Sequence, residues 1–348
     1  MRRPRGRFGA ALVLAVVVLG IVTTAPGQSP VTVRVGTIGV MADIGLYVGL
    51  ERGYFTERGL KVEIVPVTSA ADVMAMLATN QLEFVGGGFS IPLFNAVARG
   101  LPVRAIVERA VLVPGWDNNI FLVRKDLADT ITTPRDLKGR KFAINSPVSP
   151  HVYVVGKAME SVGLGLKDLE IVNMPFPSMV TAFTTRAIDA AVVVEPFAAQ
   201  IQEKALAVRW KGAADFVNDP YMHISTYLTN HEWAEKQARV TTDFVAAYLR
   251  GLRVYYDAIT TGKQRDEVVT LLTKYTTVKD RSLYERMVWQ FADPNGTMGK
   301  RSIEDQIAWY HRHAMLTRPV AYEQVVDMRY LDAALKDVGT VACPRCVP

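Results

Sequence analysis

The chain has 348 residues, room for about two domains of ~150 residues each. Hydrophobic residues make up 49% and charged residues 21%, with 25 Gly and 18 Pro; this ordinary globular composition excludes disorder, collagen-like repeats and coiled coil. Two Cys exclude a disulfide-built scaffold and a cysteine-rich metal cluster. The net charge of +6 is largely local, because Arg2, Arg3, Arg5 and Arg7 fall in residues 1–27, which hold no acid. The rest of the chain carries 36 basic against 34 acidic residues and offers no electrostatic footprint for nucleic acid.

In chain order, the first signal is at the N-terminus. A cationic stretch (MRRPRGR) precedes an apolar run, Ala10–Val22, and a small-residue exit (TTAPG), the three parts of a secretory signal peptide. The run is short of the ~20 residues that span a bilayer. Ala25 and Gly27 suit the small positions before a cleavage site, so residues 1–27 are expected to be removed after Gly27, with an uncleaved anchor as the alternative. No Cys follows the run, which argues against a lipoprotein. The mature protein is expected to be periplasmic.

From Val31 the rhythm is strand, loop, helix, repeated. Strands are expected at Val31–Val35, Lys61–Val67, Leu82–Val85 and Val103–Val107, and helices at Ile44–Phe55, Ala70–Thr79 and from Ser90. The middle of the chain repeats the plan, with strands at Lys141–Asn145, Glu170–Asn173 and Asp189–Val194 and helices at Val152–Val162 and Ser178–Thr185. This alternation implies βαβ units and a parallel sheet. MLATNQLEFVGGG (76–88) and AFTTRAIDAAVVV (182–194), set 106 residues apart, share a pattern that lays Leu77 on Phe183, Leu82 on Ile188 and Glu83 on Asp189. After Tyr227 the period turns helical, with helices expected over Val240–Ile259, Asp266–Lys274, Ser282–Phe291, Ser302–Met315 and Leu331–Val338. Two sheet lobes and a helical tail require two crossings, near Gly115–Phe121 and Pro220–Tyr227. These divide the chain into lobe one (31–117 plus 226–348, with the tail) and lobe two (118–225), with a cleft at the strand ends.

Candidate ligand contacts come from strand-end loops. Thr37–Asp43 follows the first strand. Ser69 and Ser90 each stand at an expected helix start, a natural anion seat, and Gly86–Gly88 lets backbone approach closely. In lobe two, Asn145, Ser146, Ser149 and His151 form the counterpart loop, with Ser149 as N-cap and Pro150 at the first helical position. Glu195 ends a strand at the cleft, where it would pair with a ligand donor or serve as a helix-start acid. Asn118 with Trp116, Asp117 and Asn119 at one crossing, and Tyr221 and His223 with Met222 at the other, suit stacking on and hydrogen-bonding a planar organic ligand.

Other motifs fail. His311 and His313 lie two apart on different sides of a helix, His231-Glu232 lacks the second His of a zinc-protease helix, and neither GxxxxGK[ST] nor GxSxG occurs. Cys343-Pro344-Arg345-Cys346 has CxxC spacing at the chain end, away from any strand–helix junction, and in an oxidising compartment is expected to form a small disulfide or a tail crosslink with no redox role. No cofactor and no metal is expected.

Gly49-Leu50-Glu51-Arg52-Gly53-Tyr54-Phe55 followed by Gly59-Leu60-Lys61-Val62-Glu63 resembles the "G-x-E-x-G-Y-F…G-L-x-V-E" opening of exported solute-binding proteins of the nitrate/sulfonate/taurine type, which include thiamine-pyrimidine-precursor binders. Asp136-Leu137-Lys138-Gly139 is similar to the family's "D-L-K-G-K" opening of lobe two. Physically, Gly53 and Gly59 permit turns while Tyr54 and Phe55 pack the helix on the sheet. The resemblance implies an α/β, two-lobed periplasmic-binding-protein fold, each lobe a mainly parallel sheet flanked by helices, with a helical C-terminal extension. It implies a non-enzymatic, monomeric solute-binding protein that delivers a small-molecule ligand to an ABC permease at the membrane by hinge closure, with no nucleic-acid partner. Combined with the serine loops, it suggests a small organic ligand with an anionic or strongly polar end. The family's glycine-rich loop is replaced here by one with two prolines, at 147 and 150, which speaks against a simple inorganic anion. The alternatives are a same-fold enzyme related to pyrimidine synthases, whose Cys-rich signature is missing, and a sensor that presents its ligand to a receptor kinase.

Overall fold

A computed structural model describes residues 29–67, 70–217, 219 and 221–346. The expected signal peptide and Ser69 lie outside the described residues. In chain order the first unit runs β1 (Val31–Thr37), α1 (Ile44–Glu51), β2 (Leu60–Pro66), α2 (Ala70–Ala78), β3 (Phe84–Gly88), α3 (Ile91–Ala98) and β4 (Val103–Leu112). The second runs β5 (Asn119–Arg124), β6 (Lys141–Ile144), α4 (His151–Glu160), β7 (Glu170–Asn173), α5 (Phe176–Thr184), β8 (Ala190–Val194), α6 (Phe197–Glu203) and β9 (Ala207–Gly212). The chain then returns through β10 (Met222–Asn230) to α7 (His231–Lys236), α8 (Ala238–Thr260), α9 (Arg265–Tyr275), α10 (Arg281–Arg286), α11 (Lys300–Arg312), α12 (Tyr322–Val325) and α13 (Arg329–Val338).

The strands form two five-stranded sheets, ordered β2-β1-β3-β10-β4 and β7-β6-β8-β5-β9. Both are mixed and mainly parallel, with four strands running one way and one against them. β1 is parallel to β2 and β3, but β10 is antiparallel to β3 and β4; likewise β6 is parallel to β7 and β8, while β5 is antiparallel to β8 and β9. Position by position the two sheets have one topology, with the antiparallel strand fourth in each. β5, β9 and β10 are the strands missed from sequence, because residues 119–121 and 222–227 read as crossings. β5 and β10 are each wedged between antiparallel neighbours and buried on both faces, so they lack the alternation that marks a half-buried strand; β9 is an edge strand with Arg209 and Lys211 exposed.

The 106-residue repeat has a structural basis. Asn80 and Arg186 occupy the same corner in left-handed conformation, with φ of 56° and 57°. Three residues on, Glu83 N donates to Arg34 C=O (3.1 Å) and Asp189 N to Lys141 C=O (2.9 Å). The two carboxylates then accept from the same backbone N–H groups, Arg34 N at 2.6 Å and Lys141 N at 3.0 Å. In both units an acid seals the corner onto the neighbouring strand.

The glycines of 86–88 belong to β3 itself rather than to a loop after it. Helix α1 is shorter than expected, and Gly53 and Gly59 take positive φ (71° and 70°) after it. Phe55 lies against Phe244 of α8 (5.4 Å between ring centres), so the aromatic motif docks a helix rather than the sheet. α8 crosses α1 so closely that a Cβ on Gly251 would collide with the backbone of Gly45 and Gly49. No helix among the described residues is long and apolar enough to cross a membrane.

The helical tail does not cap one unit alone. Segment 287–296 runs between the two: Val111 bridges Phe291, Phe291 N donates to Trp116 C=O (3.2 Å), and Glu108 N donates to Gly296 C=O (3.0 Å). Helix α11 then spans both. Its start holds β10 through Ser302 Oγ, which accepts from His223 N (3.0 Å), and its end reaches α4 through Trp309 Nε1, which donates to Glu160 (2.9 Å).

Candidate functional site

The strand ends of the second sheet carry a buried polar relay. Gln290 Nε2 donates to the Arg109 carbonyl (3.1 Å), Asn118 Nδ2 to Gln290 Oε1 (3.1 Å), and Asn119 Nδ2 to Asn118 Oδ1 (2.8 Å). That leaves Asn119 Oδ1 as the acceptor facing His151 Nε2 at 2.6 Å, while His151 Nδ1 lies 2.8 Å from the Asn145 amide. Burial depresses the His151 pKa to about 4, so the ring is neutral near pH 7. A neutral imidazole has one N–H, here spent on Asn119, so the bond to Asn145 requires that amide to present its NH2. Five side chains from β5, the 145–151 loop and the tail segment thus hold one direction of donation. Phe176 stands edge-on to the His151 ring at 5.7 Å and stacks on Phe197 at 6.4 Å, which walls the relay with aromatic surface.

The loop before α4 is folded on itself. Ser149 Oγ donates to Ser146 C=O (2.9 Å) and Ser146 Oγ accepts from Val148 N (3.4 Å). The N-cap is therefore Pro150, one residue after the expected Ser149, whose hydroxyl is turned away from the helix N–H groups. Across from it, a Cβ on Gly88 would meet Pro150 Cγ at 2.7 Å, so the end of β3 and the start of α4 are in contact. Ser90 follows as the N-cap of α3, buried and with no side-chain cap bond.

Glu195 is buried at the end of β8. Its Oε2 accepts from Ala199 N (2.8 Å) and its Oε1 from Val288 N (3.2 Å). Of the two roles the sequence offers Glu195, these contacts match the helix-start acid, and they tie α6 to the tail segment. Burial pushes its pKa up to about 7, with the two backbone donors opposing. Its backbone N also donates to Asn118 C=O (2.9 Å). Asp117 next door is pushed up to about 7 by burial, against N–H donation from Ala214 and Asn119.

The structure therefore joins Asn118, Asn145 and His151 through Asn119, and sets Ser146, Ser149 and Glu195 beside them; Ser90 follows the β3 end that meets Pro150. Tyr221 and His223 fall elsewhere. His223 Nε2 accepts from Gly299 N (2.8 Å) and its carbonyl from Gln306 Nε2 (2.9 Å), so it seats α11; burial holds its pKa at about 4. Tyr221 lies with Trp116 and the C-terminal cysteines.

Sequence reasoning missed Gln290 and an ionic cluster at the strand ends of the first sheet. Buried Asp43 pairs with buried Arg109, and accepts also from Thr37 Oγ1 and Tyr227 OH (3.1 Å); Arg109 Nη1 donates to Ser225 Oγ (2.8 Å). The readable signal was Glu108-Arg109 in the middle of a strand that is apolar from Ala105 to Val107 and from Ala110 to Leu112. Arg109 is committed to Asp43, and segments 37–43, 86–91, 116–119, 145–151 and 194–197 contain no Lys or Arg. An anionic ligand end would have to be held by hydroxyls, amides and backbone N–H groups in these segments.

Residues 42–258 match the profile of the family described as NMT1/THI5 like. Among curated relatives, the chain is 23% identical to the formylaminopyrimidine-binding protein of Halalkalibacterium halodurans over 293 residues, covering 80% of this chain and 83% of the relative. It is 23% identical over 199 residues to the taurine-binding periplasmic protein of Escherichia coli, covering 57% and 59%. Among solved structures, the periplasmic aliphatic sulphonate binding protein of Escherichia coli superposes with a TM-score of 0.68 at 19% identity, covering 86% of this chain and 93% of that one. A desulfurization enzyme superposes at 0.63 and 16% identity, covering 88% and 99%, so the fold is shared by binding proteins and an enzyme.

Proposed function

The chain belongs to the NMT1/THI5-like family, and from that premise we propose that it is the extracytoplasmic solute-binding component of an ABC importer. In this reading the two sheet units (31–117 with 226–348, and 118–225) are lobes that close on a small polar organic ligand and present it to a membrane permease, with no bond made or broken. The monomer is exported to the periplasm by cleavage of residues 1–27. The relatives support this through what their names say they bind, a formylaminopyrimidine and taurine. The observation that carries the reading is the buried relay from Gln290 to Asn145. A buried polar network is retained at a cost unless every member is satisfied, and this one ends in a loop that touches the other sheet unit at Gly88.

The contacts proposed are Asn145, Ser146, Ser149 and His151 from one lobe, Ser90 and Ser69 from the other, and Asn118 near the crossing. Glu195 is proposed as the acid that holds α6 to the tail. The test begins with native mass spectrometry of protein purified without refolding, to identify a retained small molecule. Calorimetry with that molecule then compares the wild type with Asn145→Ala. The expected loss is about 1–2 kcal/mol, the cost of one removed polar contact. Absence of any retained or exchangeable small molecule counts against the reading.

A further inference from the structure

We propose that Cys343 and Cys346, once reduced, hold a soft divalent cation together with the Asp293 carboxylate, at a site the binding reading does not use. The two sulfurs and a carboxylate oxygen of Asp293 lie within 4.8 Å of one another. Ligands bound at about 2.0–2.3 Å around a tetrahedral zinc ion stand roughly 3.5–4 Å apart; Asp293 already lies within 4.8 Å of the pair, and the sulfurs attain that spacing by parting once the bond between them is broken. In the folded chain the sulfurs are joined as a disulfide.

The tail that carries the two cysteines is also held by contacts other than the S–S bond. The tail is fixed by Asn295, whose Nδ2 donates to Val341 C=O (2.9 Å) and whose Oδ1 accepts from Val341 N (2.8 Å). Arg253 Nη1 donates to Val338 C=O (2.8 Å), and the Arg345 guanidinium lies over the Trp116 ring at 5.5 Å. Asp293 is buried and oriented, with Oδ1 accepting from Asn295 N (2.8 Å) and Oδ2 from Thr297 N (3.2 Å). Behind it stands Glu108, fully buried, whose Oε2 accepts from Asp293 N (3.0 Å) while Oε1 has no partner among the described residues. Such outer partners orient metal ligands. The half-buried cysteines pack against Val111, Val113 and Phe291, and Arg345 offsets the excess negative charge of two thiolates and a carboxylate.

The redox step balances with a dithiol reductant. It supplies two electrons and two protons, the S–S bond breaks, two thiols form, and the reductant leaves as its own disulfide. Cation binding then displaces both thiol protons to solvent.

The test uses the full chain, reduced and oxidised, and a reduced synthetic peptide of residues 339–348, which carries both thiols and no Asp293. Zn2+ affinity is read by competition with a chromophoric chelator, and Co2+ substitution is read for thiolate-to-metal charge-transfer absorption. The reduced chain is expected to take one Zn2+, at least about tenfold more tightly than the peptide and than the reduced Asp293→Asn chain. The oxidised chain should take none and show no charge-transfer band. Equal affinity of reduced chain and peptide, or equal zinc uptake by the oxidised chain, overturns the proposal. The peptide comparison stands even where Asp293→Asn fails to fold. Neither outcome touches ligand binding in the cleft, so failure here is separable from failure of the proposed function.

Discussion

His151 and Glu195 sit a few residues from one another in space and are both neutralised by burial, with opposite consequences for stability. The folded His151 titrates near 4 and the unfolded one near its ordinary 6.5, so acidification through that window loads the unfolded chain with a proton and costs stability. The folded Glu195 titrates near 7 and the unfolded one near 4.5, so stability is lost as pH rises through that window. His223 acts with His151 in this balance, and Asp117 with Glu195. Denaturant unfolding between pH 4.5 and 6.5 should therefore show opposed effects of two variants. Relative to wild type, His151→Asn should become progressively more stable as pH falls and Glu195→Gln progressively more stable as pH rises, each by up to about 1.4 kcal/mol per pH unit. Parallel pH profiles for all three proteins would mean these groups are charged in the fold. The sequence could nominate both residues from their strand-end positions, and the helix-start role of Glu195 with them, but not its bond to Val288, which lies 93 residues away in the tail.

At the scale of elements, β3 shows why three consecutive glycines occur inside a strand. A Cβ on Gly86 would meet the Arg109 guanidinium at 2.6 Å, one on Gly87 would meet Leu228 at 2.7 Å, and one on Gly88 would meet Pro150 of the facing loop at 2.7 Å. The first two are contacts within one sheet unit, and the third is between units. Gly86→Ala should push on the buried Asp43–Arg109 pair and cost about 1–3 kcal/mol of stability, the range for overpacking. Gly88→Ala should leave thermal unfolding closer to wild type but weaken ligand affinity by disfavouring the closed approach of Pro150, read by calorimetry. If Gly88→Ala lost stability as Gly86→Ala does and bound ligand normally, the Gly88–Pro150 contact would be mere packing. The corner repeat and most helices were legible because each follows from local periodicity and turn chemistry, whereas the glycine run reads as a loop because its place in the strand depends on Arg109, Leu228 and Pro150 from elsewhere in the chain. β5 and β10 were not legible, since a strand buried on both faces carries no period of two.

At the scale of the whole molecule, the tail couples the two units. Amphipathic spacing in 300–312 announces a helix with a buried face, but not which surface buries it, and here two do. Ser302 and Gln306 grip the His223 backbone on β10. Trp309, one turn later, is buried against α4, edge-on to Tyr153 at 5.5 Å and with no space left for a side chain on Gly156. If the two units open and close as proposed, the motion must either carry α11 with one unit or part it from α4. Loosening that contact should shift the ligand-free protein toward open forms, and apparent affinity falls in proportion to the closed fraction. Trp309→Phe removes the indole N–H that Glu160 accepts and part of the ring, while keeping an aromatic in the slot. Small-angle scattering should then show a larger radius of gyration than wild type without ligand and the same radius at saturating ligand, with affinity reduced several-fold. Equal radii in both states together with unchanged affinity would place α11 as a fixed buttress of the second unit, and the coupling between tail and cleft would rest on segment 287–293 alone.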